Sequence, residues 1–353
     1  MPFEGKNLVG VDIGTSAIKV VQVKESRRGI HLMRFGLEPL PPQSIVDGHV
    51  MNSDAVQDAL RKLMKELRIS QRDVALSISG HSVIIKKLNL PLMKRDELEE
   101  QIQWEAEQHI PFDISDVEVD YNILSENADV GQMDVLLVAA KKDEIQDLVE
   151  VVRMAKLRPW VVDIDAFTVQ NVYGFNYGFN EGEIVALLNV GASVTTVNII
   201  NGQVSQFTRD ITNGGQSITE EIQKQLQVGF EEAEAYKAGG GIGSSEMVPQ
   251  EVDGIISNVV DSLASEIQRS LDFFMATSSH GEVNQIYLTG GTSRISYLRA
   301  AVEKRSRIPV FLLDPFRRVM FDERAFDPAM LKLQAPQATV ALGLALRKQK
   351  ERI

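Results

Sequence analysis

Two short stretches of this sequence put small polar residues where a strand pattern would otherwise continue. "VGVDIGTSAIKVVQV" (9–23) runs from an apolar strand through Asp12, Gly14, Thr15 and Ser16 into a second apolar strand. "VALLNVGASVTTVNIINGQV" (185–204) repeats the pattern half a chain length later, with Asn189 where Asp12 stood and Gly191 where Gly14 stood. Such a turn can offer backbone N–H groups and hydroxyls to an anion. Each is equally an ordinary polar β-turn, since Asp, Asn, Gly and Ser are the usual turn residues. A third stretch, "YLTGGTSRISYL" (287–298), ends an apolar strand in Gly290-Gly291 and leads into a helix. A glycine pair lets backbone approach a flat ring or a sugar, because no Cβ stands in the way. Two anion-facing hairpins and a strand–GG–helix together describe a cleft for a nucleoside polyphosphate.

The elements that must position these residues read as a duplicated chain. Each half opens with a strand–turn–strand unit, as an internal repeat predicts. Extra material separates the hairpins. A polar helix, "MKRDELEEQIQWEAEQHI", is stopped by Pro111, and the strands "VEVDYNIL" and "MDVLLVAAKK", the helix "DEIQDLVEVVRMAKL" and the strand "PWVVDID" follow. That order predicts a compact α/β subdomain over 82–163. In the second half, helices near 215–236 and 250–278 flank the glycine run at 238–246, and "QATVALGLALRKQKE" closes the chain as a helix.

Composition narrows the partners. The 353 residues carry a net charge of −12, with no cysteine and five scattered histidines. An acidic chain without basic stripes excludes a nucleic-acid backbone binder and broad adhesion to anionic membranes. Without cysteine there is no disulfide framework or thiolate metal site. The N-terminus lacks the pattern of a signal peptide, and no apolar run approaches the ~18 residues that span a bilayer. A cytoplasmic location is expected.

The three glycine-bearing stretches resemble the actin/Hsp70/hexokinase nucleotide-binding superfamily. Within it the chain is most similar to the PilM family of type IV pilus assembly, with FtsA the nearest relative by layout. The resemblance rests on "GVDIGTSAIKVVQV", "QWEAEQHIPF", "VVDIDAFTVQNVY", "NVGASVTTVNII" and "GFEEAEAYKAGG". It implies an α/β, bilobal actin-like (ribonuclease H-like) ATPase fold with an inserted FtsA-type subdomain. The first lobe takes 1–81, 164–185 and 337–353, and the inserted subdomain 82–163. The second lobe takes 186–215 and 281–336, with a helical part at 216–280. "QATVALGLAL" would be a hinge between the lobes.

The resemblance also implies ATP and Mg²⁺ as cofactors. Asp12 would hold Mg²⁺, through water, since this ion keeps oxygen ligands and several waters. Gly14, Thr15 and Ser16 would cradle the phosphates, with Asn189 and Gly191 opposite. Lys19 would neutralise the β-phosphate; as a residue alone it is equally a solvated lysine on an edge strand. Asp165 falls where relatives orient the attacking water, and it is equally a helix N-cap. Asp163 would face the same side on a strand. Gly214 and Gly215 would form a second turn at the phosphates, Glu234 and Lys237 would line the ribose and adenine, and Gly290, Gly291 and Thr292 would lie near the adenosine. Asn189 replaces an acidic residue common in actin-like proteins, and Val194 a residue that is often Thr, so at most slow ATP hydrolysis is expected.

The implied function is an ATP-binding cytoplasmic scaffold at the inner-membrane face. It would bind the cytoplasmic N-terminal peptide of PilN at the seam between the inserted subdomain and 1–81, with other pilus assembly proteins and motor ATPases as further partners. An FtsA-like division protein and a small-molecule kinase are the alternative readings. The tail "LRKQKERI" has no apolar face for membrane insertion.

Overall fold

The computed structural model describes residues 5–239, 248–278 and 281–349. Positions 240–246 of the glycine run lie outside them, as do 350–353.

Two five-stranded sheets with one topology form the framework. In the first, Val9–Ile13, Ala17–Ser26 and Gly29–Pro39 make an antiparallel meander, and Asp73–Ile78 and Arg158–Ile164 extend it in parallel beside Val9–Ile13. In the second, Ile184–Val190, Thr195–Asn201 and Val204–Ile211 make the meander, and Gln285–Thr289 and Val310–Leu312 extend it beside Ile184–Val190. The registers repeat as well: Asp12 pairs with Lys19 across the first hairpin, and Asn189 with Thr196 across the second. Helices cover both faces, so strands such as Ile184–Val190 are apolar almost throughout rather than alternating. In the second lobe, Gly215–Leu226, Phe230–Lys237 and Glu251–Thr277 share one core with the sheet.

The inserted subdomain is smaller than 82–163. Val83–Pro91, Gln132–Lys141 and Val117–Asn127 form a separate three-stranded antiparallel sheet, and Arg95–His109 packs its Leu98, Ile102 and Ala106 onto it. The helix Lys142–Met154 instead buries Leu148, Val151 and Val152 in the core of the first lobe. Strand Arg158–Ile164 pairs with Asp73–Ile78 in the first sheet. Local pattern could not separate them, because an amphipathic helix and an apolar strand read alike whichever sheet they join.

The helix Thr339–Ala345 is buried at every residue. Its neighbours are the first hairpin and the helix Asp165–Tyr177. A Cβ on Gly10 would collide with the Ala341 carbonyl, and one on Gly343 with the Thr168 carbonyl. The obstacles are backbone on both sides, so neither can yield cheaply. Gly254, inside Glu251–Thr277, faces open space. Gly343→Ala should therefore destabilise by about 1–3 kcal/mol through overpacking, and Gly254→Ala should stabilise by about 0.5–1 kcal/mol through helix propensity. Urea unfolding of the two variants measures both, and equal effects would contradict the packing described.

Candidate functional site

The C-terminal ends of the central strands of both sheets meet at a cleft of about 490 Å³. Its walls include Asp12, Gly14, Thr15, Ser16, Lys19, Asp165, Asn189, Gly191, Gly290 and Gly291. A position at the carboxyl ends of parallel strands is where open α/β sheets bind ligands.

The first hairpin carries the charge. Lys19 Nζ lies 3.2 Å from Asp12 Oδ2, each side chain 14% exposed. Lys19 is thus neither solvated nor on an edge, since Ala17–Ser26 lies between two strands. The N–H of Gly14 donates to the Ala17 carbonyl at 3.2 Å, which closes the turn. The Gly14 N–H is thereby committed within its own turn. A Cβ at Gly14 would stand 2.8 Å from Lys19 Nζ, so a larger residue there would displace the lysine from its place beside Asp12. The second hairpin repeats the closure with Gly191 N–H donating to the Val194 carbonyl at 2.9 Å. Here the cross-strand pair is neutral, Asn189 with Thr196.

Gly290 has φ +87°, a conformation that favours glycine, and a Cβ there would lie 2.6 Å from Asn189 Oδ1. Gly214 packs against the turn of the second hairpin, where a Cβ would meet the Gly191 and Ala192 carbonyls, and Gly215 packs against Thr292. The N–H groups of Gly215 and Gln216 donate to the carbonyls of Gly191 and Ala192 at 3.0 and 2.8 Å. These helix N-terminal donors are therefore satisfied by the hairpin. Thr292 Oγ1 donates to the Gly191 carbonyl at 2.7 Å. Lys237 Nζ donates to the Gly215 carbonyl at 3.2 Å and to Thr219 Oγ1 at 2.7 Å, and it pairs with Glu234. One chain of contacts thus joins the hairpin to Thr292, Gly215, Lys237 and Glu234.

Asp165 is the first residue of its helix, but its side chain does not cap it. Ser77 Oγ donates to Asp165 Oδ1 at 2.5 Å. Burial pushes its pKa up to about 7, and the Asp12 charge adds to the rise, while hydrogen bonds from Ser77 and Ser79 oppose it. Asp163 departs from the expected common face, because the strand ends at Ile164. Its Oδ2 lies 3.3 Å from Arg347 Nε.

Sequence reasoning missed the turn that joins Asp73–Ile78 to Val83–Pro91. Gly80 N–H donates to Asp210 Oδ2 at 2.6 Å, and His81 bonds Thr212, so this turn grips the second lobe. Burial raises the pKa of Asp210, against hydrogen bonds from Thr196 and Gly80. A third bond of this kind joins Ser193 Oγ to Thr15 Oγ1 at 3.0 Å. The only sequence signal was the small polar run "SISGHS", which an apolar strand-ending pattern obscures.

The Asp165 environment gives a pH prediction. A carboxyl whose folded pKa exceeds its unfolded value favours the unfolded chain increasingly as pH rises from about 3.8 to about 7. In protein free of nucleotide and metal, Asp165→Asn should raise stability more at pH 8 than at pH 5. Urea unfolding at the two pH values tests this, and an equal effect at both would contradict it.

The chain matches the family model described as type IV pilus assembly protein PilM over residues 10–349. Among solved structures, the PilM-PilN type IV pilus biogenesis complex is similar, with TM-score 0.85, 28% identity and coverage of 97% of this chain and 98% of that one. MreB 5 of Spiroplasma citri bound to AMPPNP shares the fold, with TM-score 0.51, 11% identity and coverage of 96% and 95%. The cell division protein FtsA of Streptococcus pneumoniae serotype 2 (strain D39 / NCTC 7466) is 26% identical over 293 residues, 73% of this chain and 62% of that protein. The chain thus spans 62% of the length of this curated relative. The fold is the bilobal actin-like one, and no described helix is long and apolar enough to cross a membrane. With the family match running through both lobes and the inserted subdomain, the chain belongs to the PilM family of type IV pilus assembly proteins.

Proposed function

We propose that this protein is an ATP-binding scaffold of the inner-membrane pilus assembly platform that holds the cytoplasmic N-terminal peptide of PilN. The observation that carries the nucleotide half is the cleft itself, with a charged Asp12–Lys19 hairpin facing a neutral, glycine-rich one. The similarity to a PilM-PilN complex supports the partner.

The residues fit ATP with Mg²⁺. Among the described residues no group of three or more His, Asp or Glu side chains could hold a metal alone. A site with one carboxylate, Asp12, completed by phosphate oxygens and water is the arrangement Mg²⁺ favours. Bound there, the ion would supply charge neutralisation at the phosphates. Lys19 would bind phosphate oxygens as a point charge. Thr15 and Ser193, already bonded across the cleft, would orient the phosphates from both lobes. Gly290 and Gly291 would admit the adenosine, with Lys237 and Glu234 behind it.

Turnover is expected to be slow. Asp165 is the candidate for aligning water, and it is one methylene shorter than Glu. Asn189 cannot act as a base, and each such loss typically costs about 10²-fold or more in rate. The nucleotide would then serve as a wedge that biases lobe closure. Recruitment to the membrane would run through PilN and neighbouring assembly proteins or motor ATPases.

Thermal melting should rise with ATP–Mg²⁺, since a ligand at ~100 times its Kd adds about 2.7 kcal/mol. Asp12→Ala should remove the Mg²⁺-dependent part of that rise. An unshifted wild type at millimolar ATP–Mg²⁺ would end the nucleotide reading. For the partner, Val83 pairs with Ala140, so the ends of the inserted sheet are adjacent and 83–140 can be replaced by a short Gly/Ser linker. That variant should keep ATP binding and lose the PilN peptide. Peptide affinity retained by the folded variant would place the groove elsewhere.

A further inference from the structure

The cleft does not end at the phosphate-facing hairpins. The same cavity is lined by the small hairpin Ile45–Val46 and His49–Val50, by Phe112 of the inserted subdomain, and by Ser82, Glu144 and Leu148. It therefore reaches the seam between the first lobe and the inserted subdomain. Ile45, Val50, Phe112 and Leu148 give that end apolar walls, and Asp47, His49 and Lys141 line it as well.

One group there is out of keeping with its surroundings. Glu144 lies in the first turn of Lys142–Met154 and is 6% exposed. Ser82 Oγ, itself buried, donates to its Oε2. Gly48, at φ +87°, packs over the carboxylate, and a Cβ there would stand 2.6 Å from Oε2. Among the described residues no ion pair joins Glu144. The nearby basic side chains are turned elsewhere: Lys141 Nζ lies 4.8 Å over the Phe112 ring, and His49 Nδ1 lies 3.2 Å from Asp147 Oδ2. A carboxylate taken out of water is costly unless it is paired as well as hydrogen-bonded. A single serine hydroxyl leaves most of its acceptor capacity free, since an ionised carboxylate has about four lone-pair sites.

We propose that Glu144 is the recognition point for a cationic group of the bound peptide, either its N-terminal ammonium or a lysine or arginine side chain flanked by apolar residues. This rests on the reading that the PilN peptide docks at the seam. The apolar walls receive the neighbouring side chains, and the carboxylate supplies specificity by rejecting peptides without the charge. The wall that holds Glu144 is also joined to the nucleotide end. Ser82 belongs to the turn whose Gly80 and His81 bond the second lobe, and Ser77, at the end of the strand before it, bonds Asp165.

The experiment uses the full chain and a synthetic peptide of the first ten or so residues of the accompanying PilN, labelled at its C-terminus. Fluorescence anisotropy is read for wild type and Glu144→Gln. Removing one partner of a buried charge pair costs ~2 kcal/mol or more, so Glu144→Gln should weaken binding about thirtyfold or more. An N-acetylated peptide and a peptide with Lys and Arg replaced by Gln separate the two sources of charge. The one that removes the recognised cation should bind wild type as weakly as the normal peptide binds Glu144→Gln, and should lose nothing further in the variant. The peptide-free Glu144→Gln protein should melt at or above the wild-type temperature, because the isolated buried charge is gone. A lower melting temperature would mark Glu144 as a structural residue and overturn the proposal. So would binding to Glu144→Gln within about twofold of wild type. Failure of wild type to bind any of the peptides would instead overturn the docking reading, and the proposal with it.

Discussion

The two lobes are held in register by the buried helix Thr339–Ala345 and the turn before it. Its start is tied to the second lobe: Thr339 Oγ1 lies 2.6 Å from Thr289 Oγ1, and Gly290 N–H donates to the Pro336 carbonyl at 3.1 Å. Its remainder is clamped against the first, with Gly10 and Gly343 admitting backbone to backbone contact on opposite sides. Interiors packed this closely do not deform continuously. The helix thus forms a closely packed joint between the lobes.

At the open side of the cleft the contacts are of another kind. Thr15 meets Ser193, Gly80 meets Asp210 and His81 meets Thr212, all through hydrogen bonds rather than apolar packing. Net hydrogen-bond contributions are only about 0.5–1.5 kcal/mol each. The joint is thus apolar and closely packed, and the mouth is polar. The strand end and turn over residues 77–82 add a third connection, since they touch the cleft carboxylate Asp165, the second lobe and the seam residue Glu144 within six positions.

The duplication has diverged where charge matters. Matching registers give Asp12 with Lys19 in one lobe and Asn189 with Thr196 in the other. The charged side chains of the paired hairpins are consequently confined to the first lobe, while the second offers hydroxyls, an amide and close backbone. An acidic pair facing both sides would have raised the cost of an empty cleft, which already holds Asp165 at a pKa of about 7.

By itself the sequence determined the duplicated hairpins and the glycine pair at 290–291, because these depend on short-range turn chemistry and strand spacing that the chain carries locally. Even the exchange of Asp12 for Asn189 was legible there. Only the tertiary structure decided which sheet claimed Arg158–Ile164, which core claimed Lys142–Met154, and that Gly14 spends its N–H on closing its own turn. It alone brought Ser77, Gly80, His81 and Ser82 to partners far away in the chain, and Glu144 under Gly48. Such pairings follow from burial and close approach between distant segments, and no local period encodes which distant segment a polar turn will meet.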